Sequence, residues 1–307
     1  MYEYIRNPAL IHEGPPRSAT SMLSKPRVPL FLVHDGGGTS FSYHLLDRIN
    51  RPLYGIENAK LHDGGWWDGG VPEMAAHYVS LLGKILPEGG DILLGGWSMG
   101  GLLSLEMAHQ IALAAREARS REMGEGEGEG EGEGEGGSSG TSTPKTPIFR
   151  VLGMIFIDSI FPLRLADLVG PLPEEPVVLS GEHSRTMKLK DKVDLNMTHA
   201  RMMVRCWQVP RWKWGAEDIP VPPTVLMRAK EFVARDPDDL SFVDYTRDLR
   251  LLGWDDYDAE HGHFIRDLWE VNGHHFSIFD HKHVSDFPIS CFFCVVSHRA
   301  LGRIAVS

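Results

Sequence analysis

Five residues, Gly96-Trp97-Ser98-Met99-Gly100, set a serine among small neighbours in the pattern G-x-S-x-G. An apolar run opens at Asp91–Leu94, breaks at Gly95-Gly96, and gives way to a helical pattern over Met99–Ala118. The serine therefore falls on a strand-to-helix turn. Such a turn is tight enough to hold the serine in a strained backbone conformation, and flanking glycines remove the Cβ atoms that would clash. The turn also aims the hydroxyl at a helix amino terminus, whose free N–H groups favour developing negative charge. Ser98 is expected to act as a nucleophile that carries an acyl group as an ester.

A serine hydroxyl needs a base to attack efficiently. The chain has 15 histidines, so position must decide. With this motif the base follows the last strands, and Val271-Asn272-Gly273-His274-His275 lies after a late apolar run. His275 and His274 are the candidates, whereas His261, His263, His281 and His283 read as surface residues. For the orienting acid, Asp158 caps the apolar run Val151–Ile157, while Asp236 or Asp238 follow the next strand region. Asp158 is preferred, because a carboxylate ending a buried strand is costly unless it pairs with something. Its part would be to orient the imidazole and stabilise the imidazolium. The oxyanion of a tetrahedral intermediate needs two N–H donors. Met99 is one expected donor. The other comes from His34-Asp35-Gly36-Gly37-Gly38, with Gly37 preferred and Gly36 second.

These groups must be held by a rigid frame. Val28–Val33, Leu53–Ile56, Asp91–Leu94, Val151–Ile157, Thr224–Met227 and Phe264–Val271 are apolar runs, separated by helical patterns at Phe41–Ile49, Met74–Leu86 and Met99–Ala118. Continuous apolar runs alternating with helices predict a mostly parallel sheet covered on both faces. A chain of 307 residues accommodates one large α/β domain of this kind.

Outside the frame, residues 1–27 read as an arm with little core. Residues 124–147, which include the alternating Gly/Glu run Gly124–Gly136 with its six glutamates, read as a solvated, disordered insertion. Residues 160–222 carry Pro, Met and Trp without strand–helix alternation, which fits an insertion folded over the sheet. Its Met187, Met197, Met202, Met203, Trp207, Trp212 and Trp214 either pack beneath it or line an acyl channel.

Composition removes several function classes. A formal charge of −11 offers nothing to neutralise a row of phosphates, so no nucleic-acid partner is expected. The amino terminus lacks a signal-peptide core, and no run approaches the roughly 20 apolar residues of a membrane span. Three cysteines are too few for a disulfide framework. The C-x-x-C at Cys291 and Cys294 has no second pair, so no metal site is expected. A soluble, cytoplasmic protein is the resulting expectation.

Several stretches together carry a family likeness: PLFLVHDGGGTSFSYHLL (Pro29–Leu46), RPLYGIEN (Arg51–Asn58), LLGGWSMGGLLSLEMA (Leu93–Ala108), GMIFIDSIFP (Gly153–Pro162) and GHHFSIFD (Gly273–Asp280). On these the chain resembles the type I thioesterase domains of polyketide synthases and nonribosomal peptide synthetases, particularly the fungal ones, over residues 28–283. The resemblance implies an α/β-hydrolase fold with a helical lid at 160–222. It implies a triad of Ser98, Asp158 and His275, with the G-x-H-F motif selecting His275 over His274. It also implies an acyl chain carried on phosphopantetheine, delivered by an acyl carrier protein or coenzyme A, with no resident cofactor. Two features depart from the family. The separation between Ser98 and Asp158 is 60 residues (158 − 98), and residues 284–307 lack the expected amphipathic helix. With the same triad, a carboxylesterase or lipase acting on oxygen esters is the alternative activity. A catalytically inactive hydrolase-fold partner protein is the alternative from another class.

Overall fold

A computed structural model describes residues 6–14, 27–125, 147–162, 173–214, 217–233 and 241–284. Seven strands form the central sheet: β1 (Ala9–Glu13), β2 (Leu30–Val33), β3 (Pro52–Ile56), β4 (Gly90–Trp97), β5 (Phe149–Ile157), β8 (Thr224–Ala229) and β9 (Ile265–Val271). Their spatial order is β1-β3-β2-β4-β5-β8-β9. Every neighbouring pair runs parallel except β1 with β3. A separate two-residue ribbon pairs β6 (Lys213–Trp214) with β7 (Glu217–Asp218).

The central apolar runs become strands because they are buried on both faces, whereas β9, at the sheet edge, is only half-buried. β2 is inaccessible throughout, and its side chains alternate between two cores. Phe31 and Val33 face the core shared with helices α1 (Gly70–Leu82) and α2 (Met99–Glu125). Leu30 and Leu32 face the other, with Tyr43, Ile155 and Ile278. Parallel strands covered by helices bury near-continuous Val/Ile/Leu runs, which is the pattern read from the sequence.

Register is what positions chemistry. Val33 lies opposite Gly96, Trp97 opposite Ile157, Ile157 opposite Met227, and Ala229 opposite Val271. Five carboxyl-terminal strand ends thus share one rim, and the loops leaving them meet there. In open parallel sheets ligands bind at this edge.

Several expectations are corrected. The 9–13 segment, read as part of an arm with little core, is an edge strand held by antiparallel pairing to β3. β4 does not break at Gly95-Gly96 but continues to Trp97, and α2 runs on to Glu125. Phe41–Ile49 forms only a short 3-10 turn, Phe41–Leu45. Within 160–222 lie two helices, α3 (Gly181–Thr186) and α4 (Leu189–Cys206). The Gly/Glu run beyond Glu125 and residues 285–307, with Cys291 and Cys294, lie outside the described residues. Two further short helices, α5 (Asp255–Glu260) and α6 (His281–Val284), lie among the described residues. Among the described residues no helix is long and apolar enough to cross a membrane.

Candidate active site

Ser98 sits between β4 and α2 with φ 56°, in the left-handed region that non-glycine residues rarely occupy. Its N–H donates to the Ile157 carbonyl at 2.9 Å, which ties the turn to β5. The neighbouring glycines are required by crowding. A Cβ on Gly96 would lie 2.5 Å from the Val33 carbonyl oxygen and 2.6 Å from the Gly100 carbonyl carbon. One on Gly100 would strike the Val33 oxygen and come within 2.8 Å of the His34 oxygen. Because both obstacles are backbone, Gly100→Ala is expected to lower stability by about 1–3 kcal/mol or more. Chemical denaturation of the purified variant measures it.

Sequence reasoning missed the clamp on this turn. Tyr43, buried in the 3-10 turn, donates its hydroxyl proton to the Val33 carbonyl and accepts the Trp97 N–H at 2.9 Å. A single phenol thus fastens the ends of β2 and β4 together. His34, also buried, contacts the Tyr78 hydroxyl through Nε2 at 2.6 Å. Burial brings its pKa down to about 4, a neutral ring that anchors the loop to α1.

That loop bears on the oxyanion donors. The Gly37 N–H already donates to Asp35 Oδ1 at 3.1 Å. Gly36 instead lines the cavity that contains Ser98 and Met99. A donor committed to a carboxylate is less available to a substrate oxygen, so the geometry favours Gly36 over Gly37 as the second candidate donor. As the first residue of α2, Met99 has an N–H with no partner inside the helix.

Asp158 follows β5 with φ 48° and is fully buried. His275 Nδ1 lies 2.8 Å from Asp158 Oδ2. The N–H at Nδ1 therefore donates, and Nε2 is left with no protein hydrogen bond among the described residues. His275 and Ser98 line the same cavity without a direct hydrogen bond between them. Such bonds are commonly long before substrate arrives. The Trp97 and His275 rings approach to 5.4 Å between centroids, placing the imidazole against the residue that precedes Ser98. His274 is turned away, its Nδ1 accepting the Phe276 N–H at 3.2 Å. Of the histidines read as surface residues, His263 and His281 are exposed, His261 is half-buried, and His283 is buried instead, packed under Gly273. Asp236 and Asp238 lie outside the described residues.

Burial alone would push the Asp158 carboxyl up. Hydrogen bonds from His275 and Arg247, with their charges, overcome this and bring it down to about 2. Asp158 therefore stays ionised throughout neutral pH. Arg247, which the sequence gave no reason to single out, is itself buried and grips both carboxylate oxygens, at 2.5 and 2.7 Å.

The cavity has a volume of about 60 Å³ and is partly open to solvent. Its walls are largely apolar, with Leu102, Ile160, Met197, Val204 and Phe242, and Arg201 adds a cation stacked on the Phe242 ring at 4.9 Å. Helix α4 supplies Met197, Arg201 and Val204, and its Asn196 ties it to the 58–65 loop through Asn58 at 3.0 Å. Met202, Met203, Trp207 and Trp212 are buried packing, and among the described residues Met197 is the one of the weighed methionines and tryptophans that lines this space. Among the described residues no group of three or more His, Cys, Asp or Glu could hold a metal ion.

Residues 28–120 match the Thioesterase domain family model. The thioesterase frbE of Dothideomycetidae sp. (strain 11243) is 35% identical over 286 residues, covering 91% of each chain. The chain belongs to the thioesterase family. A probable thioesterase, gloN, of Glarea lozoyensis is 30% identical over 305 residues, covering 92% of this thioesterase and 94% of its own length. Among solved structures, a four-domain nonribosomal peptide synthetase, holo-AB3403 bound to AMP and glycine, superimposes with a TM-score of 0.50 at 18% identity. It covers 97% of this thioesterase, which spans 20% of that longer chain. The likeness is one of fold, of the α/β-hydrolase type.

Proposed function

We propose that this thioesterase releases an acyl chain from a carrier-protein or coenzyme A thioester in secondary-metabolite biosynthesis, using Ser98 as its nucleophile. The observation that carries the reading is one largely apolar cavity bounded by Ser98, Gly36, Met99 and His275, with Asp158 hydrogen-bonded behind the imidazole. His275 Nε2 takes the Ser98 proton as Oγ attacks the thioester carbonyl. The Met99 and Gly36 N–H groups hold the oxyanion. Collapse expels the phosphopantetheine thiol, with the proton returned from His275, and leaves an ester on Ser98. Water or a nucleophile within the acyl chain then releases the product by the same route in reverse. The apolar walls, to which α4 contributes Met197, Ala200 and Val204, suit a hydrocarbon-rich chain. The carrier part of the reading rests on the resemblance to synthase release domains.

The test compares matched thioester and oxyester substrates with the same acyl group. A clear thioester preference is expected in kcat/KM, because the thiolate is the better leaving group. Preference for the oxyester would place the protein among carboxylesterases or lipases. Absence of any Ser98 adduct with a fluorophosphonate, in folded protein, would make it an inactive partner protein.

A further inference from the structure

Behind Asp158 the structure shows more than an acid needs for orienting an imidazole. Asp158 Oδ1 accepts the Ala229 N–H at 2.8 Å and Arg247 Nη1 at 2.5 Å, while Oδ2 accepts Arg247 Nη2 at 2.7 Å and His275 Nδ1 at 2.8 Å. Arg247 Nη1 and Nη2 also donate to the Ala229 and Val243 carbonyls, at 3.1 and 3.3 Å. Its Nε lies 3.5 Å from Asp244 Oδ1. Asp244 Oδ2 in turn accepts the Val233 N–H at 2.8 Å. All three charged side chains are fully buried.

We infer that Arg247 and Asp244 extend the site into a chain of four groups, His275–Asp158–Arg247–Asp244, which fixes the Asp158 carboxylate against the imidazole and sets the net charge that the imidazole faces. The inference rests on the proposed role of His275 as base. Arg247 and Asp244 touch no substrate, so they are positioning residues.

Charge counting gives the physical content. Arg247 alone beside Asp158 would cancel the charge that should stabilise an imidazolium. Asp244 restores it, because two carboxylates and one guanidinium sum to −1 (−2 + 1). Proton transfer from Ser98 then brings the four groups to neutrality. A buried cluster that becomes neutral as the imidazolium forms favours that step, whereas one that becomes cationic opposes it. The fork of Arg247 also prevents Asp158 from rotating off Nδ1, since both oxygens are held in its plane.

Other charged groups face this chain. Asp35, on the loop after β2, interacts electrostatically with His275, and burial pushes its own carboxyl up to about 6. Arg228 of β8 donates to the Arg247 carbonyl and lies 3.8 Å from Glu270 of β9. Arg201 stands across the cavity. None of these changes in the variants below.

The test follows the rate of Ser98 modification by a fluorophosphonate against pH, which reads the neutral imidazole without needing the natural substrate. Asp244→Asn removes a negative charge, makes the imidazolium less stable, and is expected to move the acidic limb down by about one pH unit. Arg247→Met removes a positive charge and is expected to move it up by a similar amount. Combining the two should bring the limb back toward that of the unaltered enzyme. Arg247→Lys keeps the charge but loses the fork, so the limb should stay while the plateau rate falls, by up to about 10²-fold. Because Arg247→Met removes a buried charge, Asp244→Asn and Arg247→Lys serve as the conservative pair. Limbs unmoved in folded Asp244→Asn, or moved in the same direction by Asp244→Asn and Arg247→Met, would overturn the chain while leaving the serine mechanism intact. An unaltered enzyme that takes no label at Ser98 would overturn both.

Discussion

Ser98→Ala is expected to lower turnover by about 10⁶, leaving a fold that melts close to the parent. The size follows from the geometry. Ser98 is the residue at the strained turn whose side chain, with φ 56°, lines the cavity beside His275. No other hydroxyl among the cavity's lining residues could replace it. What survives would be the contribution of the oxyanion donors and binding alone, which in comparable sites is about 10³–10⁴ over water. Stability should hold or rise, because an alanine at this position relieves no buried hydrogen bond of the Ser98 side chain and keeps its backbone N–H on Ile157. Steady-state kinetics with a thioester, paired with thermal unfolding, measures both. Activity reduced by less than about tenfold would mean that a different residue attacks.

Asp158→Asn should strike activity and stability together. An asparagine offers one oxygen where four donors converge: Ala229 N–H, both Arg247 amino groups and His275 Nδ1. If its amide nitrogen faces the imidazole, Nδ1 must become an acceptor, and the proton moves to Nε2, the atom that has to receive one. The wrong tautomer costs about 10⁴ in kcat in well-studied triads. If the amide instead faces Arg247, two donors oppose each other in a buried site. In both orientations Arg247 loses its main charge partner, and removing one member of a buried ion pair costs about 3–5 kcal/mol. Denaturant midpoints and kcat should therefore fall in the same variant. By contrast, His275→Ala leaves the Asp158–Arg247 pair intact, so its activity should collapse with a smaller loss of stability. Equal stability losses in the two variants would contradict this partition.

How much of this was readable from residue order follows from how local each signal is. The strained turn at Ser98 was legible because its glycines, its preceding strand and its following helix all lie within a few residues of it. Asp158 was legible for a related reason: a carboxylate closing a fully apolar run must find partners, and it found them. The long 98-to-158 separation made no difference, because β4 and β5 are paired neighbours whose ends meet at Trp97 and Ile157. Arg247 was illegible. Its contact with Asp158 spans 89 residues, and nothing in its neighbourhood distinguishes it from other loop arginines. The edge strand Ala9–Glu13 was hidden for a similar reason: its order comes from backbone pairing with β3, and the prolines around it read as an arm. Helix α4 carries a mixed surface, one side against the 58–65 loop and another along the cavity, so its apolar residues gave no simple strand–helix rhythm. The choice between Gly36 and Gly37 depends on which N–H the Asp35 carboxylate captures, a contact that no motif spells out.

The central claim is that an acyl group passes from a thiol to one particular oxygen. Mixing the enzyme with an acylated carrier protein, quenching in acid within milliseconds to seconds, and mapping peptides by mass spectrometry tests it directly. The acyl mass should appear on the peptide containing Ser98, disappear in Ser98→Ala, and build up in any variant that slows release. An acyl mass on another residue, or rapid product formation with Ser98 never carrying the chain, would contradict the account.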